Sequence, residues 1–145
     1  MFKLLDYQRD AADACIAHIV AGEWPLLVLP TGAGKTTVAI EVARELSAKG
    51  RVLYVVDRAQ LRDQTVMDFR SNDIEVGIDA EDPDGPNVTV ATAQSFAEGS
   101  GGFHNHDYAI IDEAQDLRTE MMHCLRAYRF DAWMGMTATP FTPGL

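Results

Sequence analysis

Leu29-Pro30-Thr31-Gly32-Ala33-Gly34-Lys35-Thr36 follows an apolar run over residues 25–29 and opens a segment of helical period over residues 36–49. A strand that turns through glycines into the start of a helix is a phosphate cradle. Gly32 and Gly34 allow successive backbone N–H groups to converge on one point, and the helix N-terminus adds unpaired donors and partial positive charge. Lys35 then reaches toward β- and γ-phosphates, and the Thr36 hydroxyl is placed to ligate Mg²⁺. The pattern G-x-x-x-x-G-K-[ST] is met at every fixed position but the first, where Leu29 replaces glycine. The alternative is a glycine-rich turn that binds nothing.

Working outward from this stretch, residues 5–20 read as a helix. Ala11, Ala12, Cys15, Ile16, Ile19 and Val20 share one face, Asp6 is the expected N-cap, and Gly22 ends the helix. Residues 26–29 form an apolar strand, expected to be covered on both sides as in a parallel sheet. Past the turn, the helix directs Val38, Ala39, Val42, Ala43 and Leu46 inward and stops at Lys49-Gly50. A buried strand over 51–56 and a helix over 57–69, with Leu61, Val66 and Phe69 partly inward, come next. Residues 71–87 are polar, acidic and turn-rich around one short strand at 75–78, and read as a solvated excursion. Strands at 88–91, 108–111 and 133–136, a helical turn at 94–96, a flexible loop at 99–102 and a helix at 116–128 complete the chain. The alternation predicts one α/β domain over residues 1–145, with a mainly parallel central sheet and helices on both faces.

Composition bounds the function. A chain of 145 residues can bury roughly 68–70% of its unfolded surface and needs no disulfide or structural metal to fold. Cys15 and Cys124 are too few and too far apart for a zinc site, so a reducing cytoplasm is expected. His104 and His106 are a conceivable metal pair, but no third ligand is in view. No basic-then-apolar leader opens the chain and the apolar runs are strand-sized, so neither export nor membrane insertion is expected. Acidic residues number 22 against 12 basic, a formal charge of −10. Such a surface does not grip nucleic acid by bulk electrostatics, so any polynucleotide contact must be local.

In parallel sheets ligands bind beyond the carboxyl ends of the strands. The turn at Lys35, the pair Asp112-Glu113 after Tyr108-Ala109-Ile110-Ile111, and Thr137-Ala138-Thr139 all fall at that edge. An apolar strand ending in two carboxylates suits metal-assisted nucleotide hydrolysis. Asp112 would hold Mg²⁺, and Glu113 would accept a proton from the water attacking the γ-phosphate.

Pro30 to Thr36, then Asp112-Glu113-Ala114-Gln115, then Thr137-Ala138-Thr139-Pro140 resemble motifs I, II and III of superfamily 2 helicases and translocases, the DEAD/DEAH-like motors. The likeness covers nearly the whole chain as the first RecA-like, P-loop ATP-binding domain of such a motor. It is nearest to restriction-system motor subunits and DNA repair helicases. The resemblance implies ATP and Mg²⁺ as cofactors, with Pro30, Thr31, Gly32, Ala33, Gly34, Lys35, Thr36 and Thr37 around the phosphates and Gln8, in Asp6-Tyr7-Gln8, on adenine. It implies Thr36 and Asp112 at the metal, and Lys35, Asp112 and Glu113 in catalysis. Residues 56–64 resemble motif Ia and residues 90–96 the next strand-contacting element, which assigns Arg58, Gln64, Thr92 and Gln94 to the sugar-phosphate backbone of a nucleic acid, DNA before RNA. Gln115, where the best-known subgroups carry aspartate or histidine, would link the carboxylates to Thr137 and Thr139 and couple hydrolysis to strand movement.

Motors of this superfamily close a second RecA-like domain over ATP and draw arginine fingers from it. No such domain is found in residues 1–145, so a partner domain in cis or trans is expected and the chain alone should turn ATP over very slowly. The competing reading is a nucleotide-dependent binding module with little chemistry. A P-loop phosphotransferase has no support from Thr137-Ala138-Thr139-Pro140.

Overall fold

The computed structural model describes residues 3–30, 34–80, 84–98, 106–113 and 130–137. Among them, six strands form one all-parallel sheet: β1 (Leu26–Val28), β2 (Val52–Val56), β3 (Val76–Ile78), β4 (Val88–Thr92), β5 (Tyr108–Ile111) and β6 (Ala132–Thr137). Their order across the sheet is β1-β6-β5-β2-β4-β3. Four helices are described, α1 (Asp6–Val20), α2 (Lys35–Ser47), α3 (Ala59–Ser71) and α4 (Ala93–Glu98). Parallel neighbours require crossover connections, so every strand delivers its C-terminus to the same edge.

Alternation along the strands divides the core. Val52, Tyr54 and Val56 of β2 face a cluster built with Ala12, Cys15 and Ile19 of α1, Val66 and Phe69 of α3, and the buried stripe of α2. Leu53 and Val55 face the opposite side, with Ala109, Ile111, Phe96 of α4 and Phe130. Helices therefore cover both faces. Tyr54 meets Phe69 edge-on at 5.5 Å, a favourable aromatic geometry. Val38, Ala39, Val42, Ala43 and Leu46 are all buried, as their spacing predicts.

Several local expectations are corrected. β1 is not covered on both sides: Leu27 is buried, but Leu26 is 52% and Val28 42% exposed. The reason is position, since β1 pairs only with β6 and forms the edge of the sheet. Asp6 is the first helical residue of α1 and not its cap; the extended residue before the helix is Leu5. Its amide is satisfied instead by Gln8 Oε1 at 2.9 Å, reaching back from the first turn. At the other end Gly22 takes φ +80°, with its amide on Ile19 O and the Glu23 amide on His18 O, which closes the helix through a left-handed residue. Val20, expected on the inward face, is 54% exposed, and Leu61, expected partly inward, is 37% exposed.

The acidic excursion also belongs to the sheet more than its composition suggests. β3 pairs with β4 through Val76↔Val88, Gly77↔Thr89 and Ile78↔Val90. His106, just before β5, is buried, with Nε2 3.2 Å from Thr89 Oγ1 on β4. No group of three metal-ligating side chains occurs among the described residues. His104, the loop at 99–102 and the helix expected over 116–128 lie outside them, as does Cys124. Among the described residues no helix is long and apolar enough to cross a membrane.

Candidate functional site

Three strands in the order β1-β6-β5 bring the sequence-distant motifs together. β1 leads into the turn before α2, β5 ends at Asp112, and β6 lies between them with Thr137 at its tip. Register fixes the spacing: Val28 stands beside Thr137, Gly135 beside Ile111, and the Leu29 amide donates to Thr137 O at 3.2 Å.

The start of α2 is shaped for anions. Gly34, its N-cap, has φ +86°, a left-handed conformation that residues with a Cβ rarely adopt. A Cβ built there would also stand 2.1 Å from Gln8 Nε2. The left-handed backbone makes any other residue strained here, and a side chain would also require the Gln8 amide to move aside. The amides of Lys35, Thr36 and Thr37 follow in the first turn, where helix N–H groups lack intrahelical acceptors. Buried Gln8 therefore stands against Gly34 at the start of α2 while its Oε1 holds the Leu5 amide. Pro30 is exposed just before this turn, whereas Thr31, Gly32 and Ala33 lie outside the described residues.

Lys35 reaches across the sheet edge to both acids. Its Nζ is 2.5 Å from Glu113 Oε1 and 3.1 Å from Asp112 Oδ1, although 78 positions separate Lys35 from Glu113 in sequence. The three side chains are 18%, 33% and 16% exposed for Lys35, Glu113 and Asp112, so solvent screens the contact only partly. Burial lowers the lysine pKa, but the hydrogen bond from its ammonium to Glu113 and the charge of Asp112 more than offset this, and the net direction is upward. Two carboxylates facing one ammonium leave an excess of negative charge at the site, which favours a further cation there.

Backbone geometry locks the acids in place. The Asp112 amide donates to Val55 O on β2 at 2.9 Å, and Asp112 Oδ1 accepts the Glu113 amide at 2.9 Å. Glu113 itself takes φ +54°. A left-handed glutamate costs of order 1 kcal/mol or more and persists only where surrounding contacts enforce it. This strain was not readable from residue types alone. The donor set fits Mg-ATP: a helix start rich in free amides, an ammonium, a hydroxyl at Thr36 and two carboxylates. Gln115 and Thr139 lie outside the described residues, and Thr137 is buried.

The remaining candidate residues lie on the elements that follow β2 and at the junction of β4 with α4. Arg58 is the extended N-cap of α3 and its side chain is 71% exposed. Gln64 is exposed and donates to Asp68 at 3.1 Å; Gln94 is exposed and donates to Glu98 at 3.1 Å. Thr92 differs. It is buried, its hydroxyl oxygen accepts the Ser95 amide at 3.1 Å to start α4, and its own amide donates to Asp79 Oδ1 at 3.0 Å. Asp79 had no place among the residues singled out by sequence, because its carboxylate lies in a polar run resembling any acidic loop.

Fold and motif placement define the first RecA-like ATP-binding domain of the superfamily 2 helicase and translocase class. Residues 1–142 match the family described as Type III restriction enzyme, res subunit, and the chain belongs to that family. No curated protein matches it. Among solved structures it is similar to a nuclease-deletion mutant of the Type ISP restriction-modification enzyme LlaGI in complex with a DNA substrate mimic. That match has a TM-score of 0.78 at 22% identity and covers 97% of this chain and 18% of the other. The UvsW helicase from bacteriophage T4 gives 0.76 at 19% identity, covering 95% and 53%. The Sulfolobus solfataricus SWI2/SNF2 ATPase core in complex with dsDNA gives 0.77 at 18% identity, covering 96% and 32%. At such identities the likeness establishes the fold. The chain spans about half of the UvsW chain and less of the other two.

Proposed function

We propose that this chain is the ATP-binding half of a nucleic-acid motor that couples Mg-ATP hydrolysis to movement on DNA. The observation that carries the reading is the meeting of Lys35 with Asp112 and Glu113 at the edge where β1 and β5 end. In this reading the amides at the start of α2 and the Lys35 ammonium receive the phosphates, and Gln8 contacts adenine beside Gly34. Thr36 and Asp112 hold the metal. Bound there, Mg²⁺ would withdraw charge from the phosphate oxygens and so ease attack of water at the γ-phosphorus with ADP as the leaving group. Glu113 accepts a proton from the attacking water, a role its position beside Asp112 and its partial exposure allow. The carboxylate is kept near the phosphates by the same ammonium that binds them.

Arg58, Gln64 and Gln94 line the half of the edge read as the strand-contacting surface. Two of the similar structures are described as complexes with DNA or a DNA mimic, which supports DNA over RNA. A second RecA-like domain, in cis or trans, completes the site in this reading, since an arginine finger contributes about 10³–10⁵ in rate. Turnover by this chain alone is accordingly expected to be very slow.

Mg-ATP affinity and single-stranded-DNA-stimulated turnover, measured for the parent and for Glu113→Gln joined to a second RecA-like domain, test the assignment. The variant should keep nucleotide affinity within about twofold and lose roughly 10²–10⁴ in turnover. Unchanged turnover in Glu113→Gln would remove that residue from the role of base.

A further inference from the structure

We propose that Asp79 is a positioning residue that joins the two strand-facing elements, the first turns of α3 and the β4–α4 junction, into one surface. The inference rests on the nucleic-acid reading above and adds a residue to it. Asp79 follows β3 directly, at the C-terminal edge of the sheet, and its carboxylate divides its oxygens between two elements. Oδ2 accepts a short hydrogen bond from Arg62 Nη1 on α3, and Oδ1 accepts the Thr92 amide at 3.0 Å. Arg62 lies between the exposed Arg58 and Gln64 on that helix, and its amide donates to Arg58 O at 3.0 Å. Thr92 starts the helix that presents Gln94. One carboxylate therefore sets the separation between Arg58 and Gln64 on one side and Gln94 on the other.

The backbone at Asp79 points the same way. Its φ is +57°, outside the usual range for a residue with a side chain, and its amide donates to Val90 O at 2.9 Å. Glycine or asparagine suits that conformation as well or better, so turn geometry alone does not call for aspartate. What aspartate supplies is a charged acceptor with two oxygens. Arg62, held this way and also 3.0 Å from Asp63, is committed to protein carboxylates. It orients the surface and does not itself grip phosphate.

Bulk electrostatics predicts the opposite sign. The chain carries a formal charge of −10, so removing one carboxylate should strengthen binding to a polyanion. A freed Arg62 would strengthen it further. If Asp79 positions the surface, removing its charge weakens binding instead.

The test is fluorescence anisotropy of a labelled single-stranded DNA oligonucleotide with the full chain, alongside the affinity of a fluorescent ATP analogue. Asp79→Asn and Asp79→Gly both suit the left-handed backbone, and Asp10→Asn, on the exposed side of α1, is the charge-matched control. Both Asp79 variants should bind the oligonucleotide about three- to tenfold more weakly, with nucleotide affinity within about twofold of the parent. Arg62→Gln should add little in the Asp79→Asn background. Equal or tighter oligonucleotide binding by both variants overturns the proposal while leaving the motor reading intact. Parallel loss of nucleotide affinity also overturns it, because the role is then one of folding. If the parent and the Asp10→Asn control do not bind the oligonucleotide at all, the strand-contact reading fails and takes this proposal with it.

Discussion

Strand β5 has an aspartate at each end, and the two do opposite work. Asp107, before the strand, turns its carboxylate onto the Arg51 amide at 2.9 Å, while its own amide donates to Arg51 O at 2.8 Å and its carbonyl accepts the Asp131 amide at 2.8 Å. Every contact is to the backbone, and each ties β5 to a neighbouring strand. Asp112, after the strand, faces a side-chain cation delivered from two strands away and is followed by a residue in left-handed conformation. A parallel sheet makes this division general. Amino ends can be closed by local backbone pairing, whereas carboxyl ends collect groups from separate crossovers and are left to meet a ligand.

The most severe test of that contrast is Lys35→Ala. It removes the cation shared by two carboxylates and the group assigned to the phosphates. Mg-ATP affinity should fall by roughly 100-fold or more, or about 3 kcal/mol, as when one member of a desolvated charged pair is truncated. Titration calorimetry measures this. Retained affinity would mean that the meeting of Lys35 with the acids is a structural ion pair like any other.

Asp107→Ala should do the reverse. Losing a charge-assisted bond to the Arg51 amide is expected to cost about 2 kcal/mol of stability, which for a domain of this size lowers Tm by roughly 6–8 °C. Nucleotide affinity, measured on the folded variant, should stay within about twofold. A large loss of affinity without loss of Tm would break the division between the two ends. Gly50→Ala probes the same end more gently. A Cβ there would stand 2.4 Å from Asp107 Oδ2, so the carboxylate must give way, at a cost of about 1–2 kcal/mol in thermal or denaturant unfolding and none in nucleotide affinity.

What was legible in sequence follows the same division. The carboxyl-edge residues announce themselves because the chemistry limits the side chains available: a lysine after turn glycines, two acids after four apolar residues. Topology then converts their order along the chain into proximity, since all strands run one way. The edge position of β1 was not legible, because Leu26-Leu27-Val28 is as apolar as a central strand and the exposure depends on which strand pairs beside it. Asp6 reads as a cap because aspartate is a good one, but Gln8 in the first turn satisfies the Leu5 amide. Asp79 was hidden among acids of the same run, where only the approach of Arg62 and Thr92 from other elements distinguishes it.

The smallest effect concerns proton loss at the carboxyl end. With its partners in place, Lys35 has a pKa above its ordinary value of 10.5. A group whose pKa is raised by folding contributes stability in full below its unfolded value and loses it as pH rises through the folded value. The ion pair should thus support the fold undiminished through neutral and mildly alkaline pH. Beyond 10.5 the parent should lose this contribution, and its stability advantage over Lys35→Ala should narrow. Denaturant midpoints of the two proteins, compared across that range, isolate the lysine from the other titrating side chains, with an expected change of about 1 kcal/mol or less. A gap that stays constant past the raised pKa would show that Lys35 supports the fold through its packing stem and not through its charge. The ammonium would then be free to leave the carboxylates for phosphate oxygens at little cost to the fold.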